Sequence, residues 1–230
     1  MKLLRLMLLI LLFTSCYNTE KNIKKENNAE KKKYANQILN KEIKFYEFKP
    51  DSLSENIKID SFDLRKAYKI DKLKIIIGSF TNEKIDFSKE EKLDDYGGVR
   101  LLTLNQKNEM TYKSKGGGDI YLFEPHFYKN DHNNKVLIIC QLAFEYFCGG
   151  KAFLIENNKI KRIGTLDIES NDMEISLTDI IEIKEEEKNK IIFDFKSDSL
   201  LIEPGGGNEK LIKNSGIKYI YEKNKLTLIK

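Results

Sequence analysis

Residues 151–166 read KAFLIENNKIKRIGTL. Six residues rich in apolar side chains lead into Asn157 and Asn158, and a second run of apolar and basic residues follows. Asparagine tolerates the positive φ that a two-residue hairpin turn demands, so the stretch predicts strand, tight turn, strand. The same rhythm extends in both directions. GVRLLTL and EMTYKS flank Asn105, Gln106, Lys107 and Asn108, while DIYLFEPHFY and KVLIICQLAFEYF flank KNDHNN. Further on, DIIEIK and KIIFDF flank EEEKN, and IKYIYE and KLTLIK flank Lys223 and Asn224. Connections this short join antiparallel neighbours only. The chain from 73 to 230 therefore predicts an all-β, mainly antiparallel meander, closed as a barrel or folded into a sandwich, with a propeller as the minority alternative.

Within that region residues 136–147 are apolar at both parities. A strand with one wet face would alternate, so this one predicts a central strand covered on both sides. Residues 34–72 read differently and form an N-terminal extension with short helical pieces. KKKYANQILNKEIKFYEF can begin as a helix, Pro50 ends whatever precedes it, and SFDLRKAYKI reads as a short helix capped by Ser61. Ser88 and Glu91 match a capping box between strands.

The amino terminus has its own grammar. Lys2 and Arg5 precede the apolar run Leu6, Met7, Leu8, Leu9, Ile10, Leu11, Leu12 and Phe13. That run falls short of the roughly 20 residues needed to span a bilayer, and with Thr14 and Ser15 after it residues 1–15 read as a signal peptide. Phe13, Thr14, Ser15 and Cys16 resemble the lipobox of bacterial lipoproteins. The resemblance implies that Cys16 is lipidated and becomes the first residue of the mature chain. Two or more acyl chains would then hold the protein stably at a membrane. Phe13 stands where leucine is usual. Tyr17 is not the aspartate that retains enteric lipoproteins at the inner membrane, which favours an outer-membrane location in the bacterial envelope. Residues 17–33 are too polar to offset the entropy of ordering and read as a flexible tether. The alternative is that Lys31, Lys32 and Lys33 grip anionic headgroups.

The chain carries a net charge of +4, of which the signal peptide holds +2 and the tether +3. Residues 34–230 therefore carry −1. The basic character belongs to the leader and not to the folded body, so nucleic acid is not an expected partner. Three cysteines occur. With Cys16 lipidated, Cys140 and Cys148 remain. They form either a disulfide, which needs the chain to fold back within residues 141–147, or two buried inert thiols. Their spacing is not that of a C-x2-C metal site, and no cofactor is implied.

Catalytic residue types gather in one place, GGGDIYLFEPHFYKNDH, which holds Asp119, Glu124, His126, Asp131 and His132. Strand alternation puts Glu124 and His126 on one face, where they could act as acid and base or as two ligands. The plainer reading is that Pro125 interrupts an edge strand and that His132 sits in an exposed turn. Cys148 precedes Gly149 and Gly150, and His126 could in principle reach it. The triplets Gly116, Gly117, Gly118 and Gly205, Gly206, Gly207 are followed by DIYLF and NEKLI. Neither continues as a phosphate-cradling loop would. They read as loop glycines at positive φ, or as a loop that hugs a ligand. Residues 144–169 resemble domains of bacterial envelope lipoproteins, a likeness that carries no activity.

The functional expectation is a non-enzymatic, membrane-anchored β-domain that binds a protein, a glycan or another envelope component. One alternative is an inhibitor or immunity lipoprotein that docks on a lytic enzyme or toxin. A second is a hydrolase using Glu124 and His126, with or without Cys148.

Overall fold

A computed structural model describes residues 42–54, 57–82, 96–186 and 190–230. The lipobox, the tether and the Ser88–Glu91 capping box lie outside them, as does the start of the extension. Ile43 to Lys230 fold as one unit, and its elements are almost entirely strands, as the hairpin pattern predicts.

Nine antiparallel strands make a nearly closed barrel. At its centre is β1 (Ile43–Phe48), whose first half pairs with β12 (Ile181–Glu186) and whose second half pairs with β7 (Leu122–Lys129). From β7 the wall continues through β8 (Val136–Ala143), β9 (Phe147–Glu156) and β10 (Lys159–Leu166). From β12 it continues through β13 (Lys190–Phe195), β16 (Lys218–Glu222) and β17 (Lys225–Ile229). The terminal strands β10 and β17 meet through side chains. Lys161 Nζ donates to Asn224 Oδ1 at 3.3 Å and lies over the Tyr221 ring, and Gly164 leaves room for Leu226. Among the described residues no backbone ladder joins them.

A second sheet holds β2 (Asp51–Ser52), β3 (Phe62–Ile70), β4 (Leu73–Phe80), β5 (Arg100–Leu104) and β6 (Met110–Lys113). A small third one holds β11 (Ile168–Ser170), β14 (Ser199–Ile202) and β15 (Lys210–Lys213). One core fills the barrel, with Leu137, Ile139, Leu154 and Phe193 inside. A second core, with Ile138, Cys140, Phe153, Ile75 and Leu101, lies between the outside of the β7–β9 wall and the second sheet. Strand β8 belongs to both, and every one of its residues is buried. This is the doubly covered central strand that its apolar parities predict. The far face of the second sheet packs Ala67, Ile76 and Leu102 against Leu53, Ile57 and Ile59.

Three expectations need correction. First, SFDLRKAYKI is not helical. It forms β3, paired with β4 along its length, and Ser61 has φ +52°, which suits a turn and not the extended backbone of a helix cap. Second, strands begin at Ile43, because Phe45 points into the barrel core and the alternation around it fits a wall strand. Third, residues 136–147 are not one strand. The chain reverses through Phe144, Glu145 and Tyr146, where Phe144 N–H donates to Tyr146 O, and Phe147 begins β9. That turn has no glycine, proline or asparagine, so nothing in its composition marks it. The one described helix, α1 (Leu177–Ile180), is a single turn whose Leu177 and Ile180 enter the barrel core.

Candidate functional site

The residues singled out for chemistry do not converge. Asp119 is exposed in the loop before β7, and Asp131 and His132 sit exposed in the β7–β8 turn, where Asn130 Oδ1 accepts from His132 N–H. Glu124 pairs with Lys66 of the second sheet. His126 instead takes Glu47 on β1, Nδ1 to Oε1 at 2.8 Å, and its Nε2 lies 3.5 Å from Thr178 Oγ1. Glu124, Pro125 and His126 occupy the half of β7 that β1 does not pair. The proline thus falls on a locally free edge, where its missing N–H costs no ladder bond. Among the described residues no group of three or more His, Cys, Asp and Glu side chains is placed to hold a metal ion.

The two cysteines are both free and buried. They share the core outside the barrel wall, whereas His126 is opposite Ile139 and so belongs to the inner face. Cys148 and His126 are therefore on opposite sides of the sheet. Burial pushes the Cys140 thiol well up and the Cys148 thiol up to about 11, the latter helped by the nearby Glu169 charge. Neither is a thiolate near neutral pH, so neither has a nucleophile's character.

What the fold does assemble is a cleft of about 310 Å³ between the β9–β10 wall and the loops around residues 96–98 and 114–120. Tyr96 and Phe144 flank it, Lys115, Lys151 and Arg162 supply positive charge, and Asp167 supplies one carboxylate. Lys151 Nζ donates to the carbonyl of Gly116 at 2.7 Å, which ties the first glycine triplet to the barrel wall. Of the five N–H donors of Arg162, Thr165 Oγ1 takes one at 3.0 Å. Burial, with Glu203 next in weight, raises the Asp167 carboxyl above its usual range.

Gly117 of the first triplet lines the cleft, and the second triplet follows the lining residue Pro204. In the first, a Cβ on Gly116 would sit 1.7 Å from Gly97 O, and one on Gly98 would sit 2.1 Å from Gly118 O. Two backbone segments touch there, and Gly98 and Gly118 form a bridge. In the second, Gly205 has φ +75° and rests against Tyr146, while Gly207 has nothing within 4 Å. The loop reading fits the second triplet. The first is a close backbone approach.

Four large aromatic side chains, Tyr96, Tyr121, Phe144 and Tyr146, stay between 43% and 65% exposed. Tyr121 N–H donates to Ala143 O, and Tyr146 abuts the loop that begins at Pro204, itself a cleft residue. Of the four, Tyr96 and Phe144 line the cleft. The chain matches no family model, no curated protein and no solved structure.

Below the cleft is a buried carboxylate that the sequence does not advertise. Glu169 is 2% exposed, and its Oε1 accepts from Gln141 Nε2 at 2.6 Å and from Gly149 N–H at 3.1 Å. Oε2 makes no closed hydrogen bond. Burial pushes the carboxyl up to about 7, against the opposing pull of Gln141, Gly149 and the backbone of Leu177 and Ser170. Gln141 also accepts from Thr178 N–H at 3.3 Å and so links β8, β11 and α1. The cleft residues come from positions 96 to 204. No local period joins them, and the only sequence signal was an aromatic pair, Phe144 and Tyr146, flanking a charged residue.

Proposed function

We propose that the protein is a non-enzymatic binding module of the bacterial envelope, lipid-anchored at Cys16, whose recognition face is the aromatic-rimmed cationic cleft. One observation carries the reading: two exposed aromatic side chains, Tyr96 and Phe144, line a single concavity that three cations also line. Scattered exposed aromatics are ordinary, but aromatic and arginine side chains gathered at one spot have the composition of a binding hot spot. A cleft at the low end of the size range for small-ligand sites suits one or two rings or a single protruding side chain. A lipoprotein that neutralises a lytic enzyme by docking would use the same face. The acid and imidazole first suspected of catalysis are each committed to a separate partner, which supports binding over hydrolysis.

The test uses the full-length protein in detergent with isolated envelope fragments, both sacculi and outer-membrane fragments, read by cosedimentation. Wild type is expected to sediment with one fraction, and the double variant Phe144→Ala, Tyr146→Ala to bind about tenfold or more weakly. Equal binding by both proteins, or none by wild type, rejects the reading.

A further inference from the structure

Asn130 opens the β7–β8 turn and is 5% exposed. Its Oδ1 accepts from the N–H groups of His132 and Asn133, each at 2.9 Å. Those two bonds fix which end of the amide is oxygen. Nδ2 is the other end, and it is buried without a hydrogen-bond partner. A buried amide donor with no acceptor is costly, and native folds seldom leave one. Asn130 lines a hollow of about 370 Å³ between the β7–β8 turn and the β2–β3 edge of the second sheet. An acceptor bound there removes that cost.

The charges around the hollow select the acceptor. Lys49 reaches it from the link between β1 and β2, Lys69 from β3, and Lys129 from the end of β7. Lys129 Nζ lies 4.9 Å from the centre of the Phe48 ring, a contact that steadies the ammonium and leaves its N–H groups able to donate. Among the described residues Lys49 and Lys69 form no ion pair. Lys135 also lines the hollow, but it is committed to Glu185 and Glu156 and does not enter the balance. Asp51 and Asp71 complete the charged lining. Three ammoniums thus stand against two carboxylates, a surplus of one positive charge. None of the described lining residues is an arginine. A planar guanidinium matches a planar carboxylate, whereas separate ammonium groups act as point charges and suit a tetrahedral phosphate whose oxygens diverge. A phosphodiester carries one negative charge, and hydroxyls on its alcohol can donate to the two aspartates.

We infer that this hollow is a site for a hydroxylated phosphodiester, its anionic oxygens held by Asn130 Nδ2 and by Lys49, Lys69 and Lys129. That chemistry is common to a soluble glycerophosphodiester and to a lipid headgroup. The hollow shares no lining residue with the cleft, so the site stands apart from the binding reading above.

Isothermal titration of the full-length protein in an uncharged detergent tests it. The soluble probes are glycerophosphoglycerol and acetate, and micelles of the same detergent with and without phosphatidylglycerol form the lipid arm. Saturable binding is expected for glycerophosphoglycerol or for the doped micelles, with acetate about tenfold weaker or more. Asn130→Asp keeps an oxygen for His132 and Asn133 but puts a negative charge where the donor was, and should weaken binding about tenfold or more. Lys69→Gln should do the same, because a charge-assisted hydrogen bond is lost. Lys72→Gln removes an equal charge from an exposed neighbour that does not line the hollow, and should change affinity less than about twofold. If Asn130→Asp does not fold, as circular dichroism would show, the two exposed lysines decide. Soluble ester bound as tightly as doped micelles assigns the site to free esters, and binding of doped micelles alone assigns it to a headgroup. The proposal is overturned if neither binds, if acetate binds equally, or if folded Asn130→Asp matches wild type. Equal losses in Lys69→Gln and Lys72→Gln overturn it in favour of diffuse surface charge.

Discussion

Glu169 is the residue whose environment makes the sharpest statement. A carboxyl at about 7 in the folded state and 4.5 as its ordinary value keeps its proton on folding through that window. The folded chain then binds more protons than the unfolded one, so stability falls as pH rises from about 4.5 to 7 and the loss is complete above that. The spacing amounts to on the order of 3 kcal/mol. Glu169→Gln mimics the protonated form and keeps an oxygen for Gln141 and Gly149. Denaturant midpoints measured between pH 4.5 and 8 should decline with pH in wild type and be flatter in the variant, the two converging at the acid end. Parallel curves would mean that Glu169 does not titrate in this window. Neither Gln141 nor Glu169 stands out in the sequence. A glutamine in an apolar strand and a glutamate after an isoleucine carry no mark of a buried pair until β11 is laid across the barrel end.

At the scale of elements, the rim loops show how similar sequence can do different work. Gly116, Gly117 and Gly118 are packed against Gly97, Ile120 and Tyr96, whereas Gly207 borders open space. Gly116→Ala should cost about 2–4 kcal/mol in unfolding free energy, because its Cβ collides with fixed backbone. Gly207→Ala should stay within about 0.5 kcal/mol of wild type. Chemical denaturation of the two variants decides between packed and open loops, and equal effects would refute the distinction. The turns that could be read from sequence were the local ones. Asn157 and Asn158 have φ of +53° and +56°, and Lys223 and Asn224 of +51° and +60°. Such turns announce themselves because two adjacent residues must adopt a costly conformation that asparagine tolerates. The reversal at residues 144–146 was illegible because tertiary contacts, and not local propensity, hold it. For the same reason Phe62–Ile70 was misread. Its helix-compatible charges lie on a strand that β4 and the two cores define.

The whole molecule joins a barrel, an added sheet and a small capping sheet through β8, the strand that belongs to two cores. Strand type was legible for most strands from Leu73 on, but not for β1 and β3, and the order of strands was not legible. β1 inserts between β7 and β12, and β16 pairs with β13 across an intervening pair of strands. Such pairings depend on closure of the sheet, which leaves no local trace. The cleft was invisible for the same cause. The lipid anchor proposed at Cys16 is testable on the intact protein made in bacteria. Intact-mass analysis should find acyl chains on residue 16 as the amino terminus, and Cys16→Ser should move the protein out of the detergent phase. An unmodified cysteine at residue 16 rejects the anchor.

The unzipped junction between β10 and β17 gives the barrel the mechanics of a slit tube. A tube cut along its length resists twisting far less than a closed one, since its two lips slide past each other without breaking a backbone bond. In the strand order the slit lies farthest from β1, which is fifth of nine and flanked on both sides. A pull on the chain at Ile43 therefore falls on rungs shared with β12 and β7. Those rungs are strained sideways and together, not peeled open one at a time. The molecule would meet a tug on Ile43 at its stiffest line and yield to torsion at its softest.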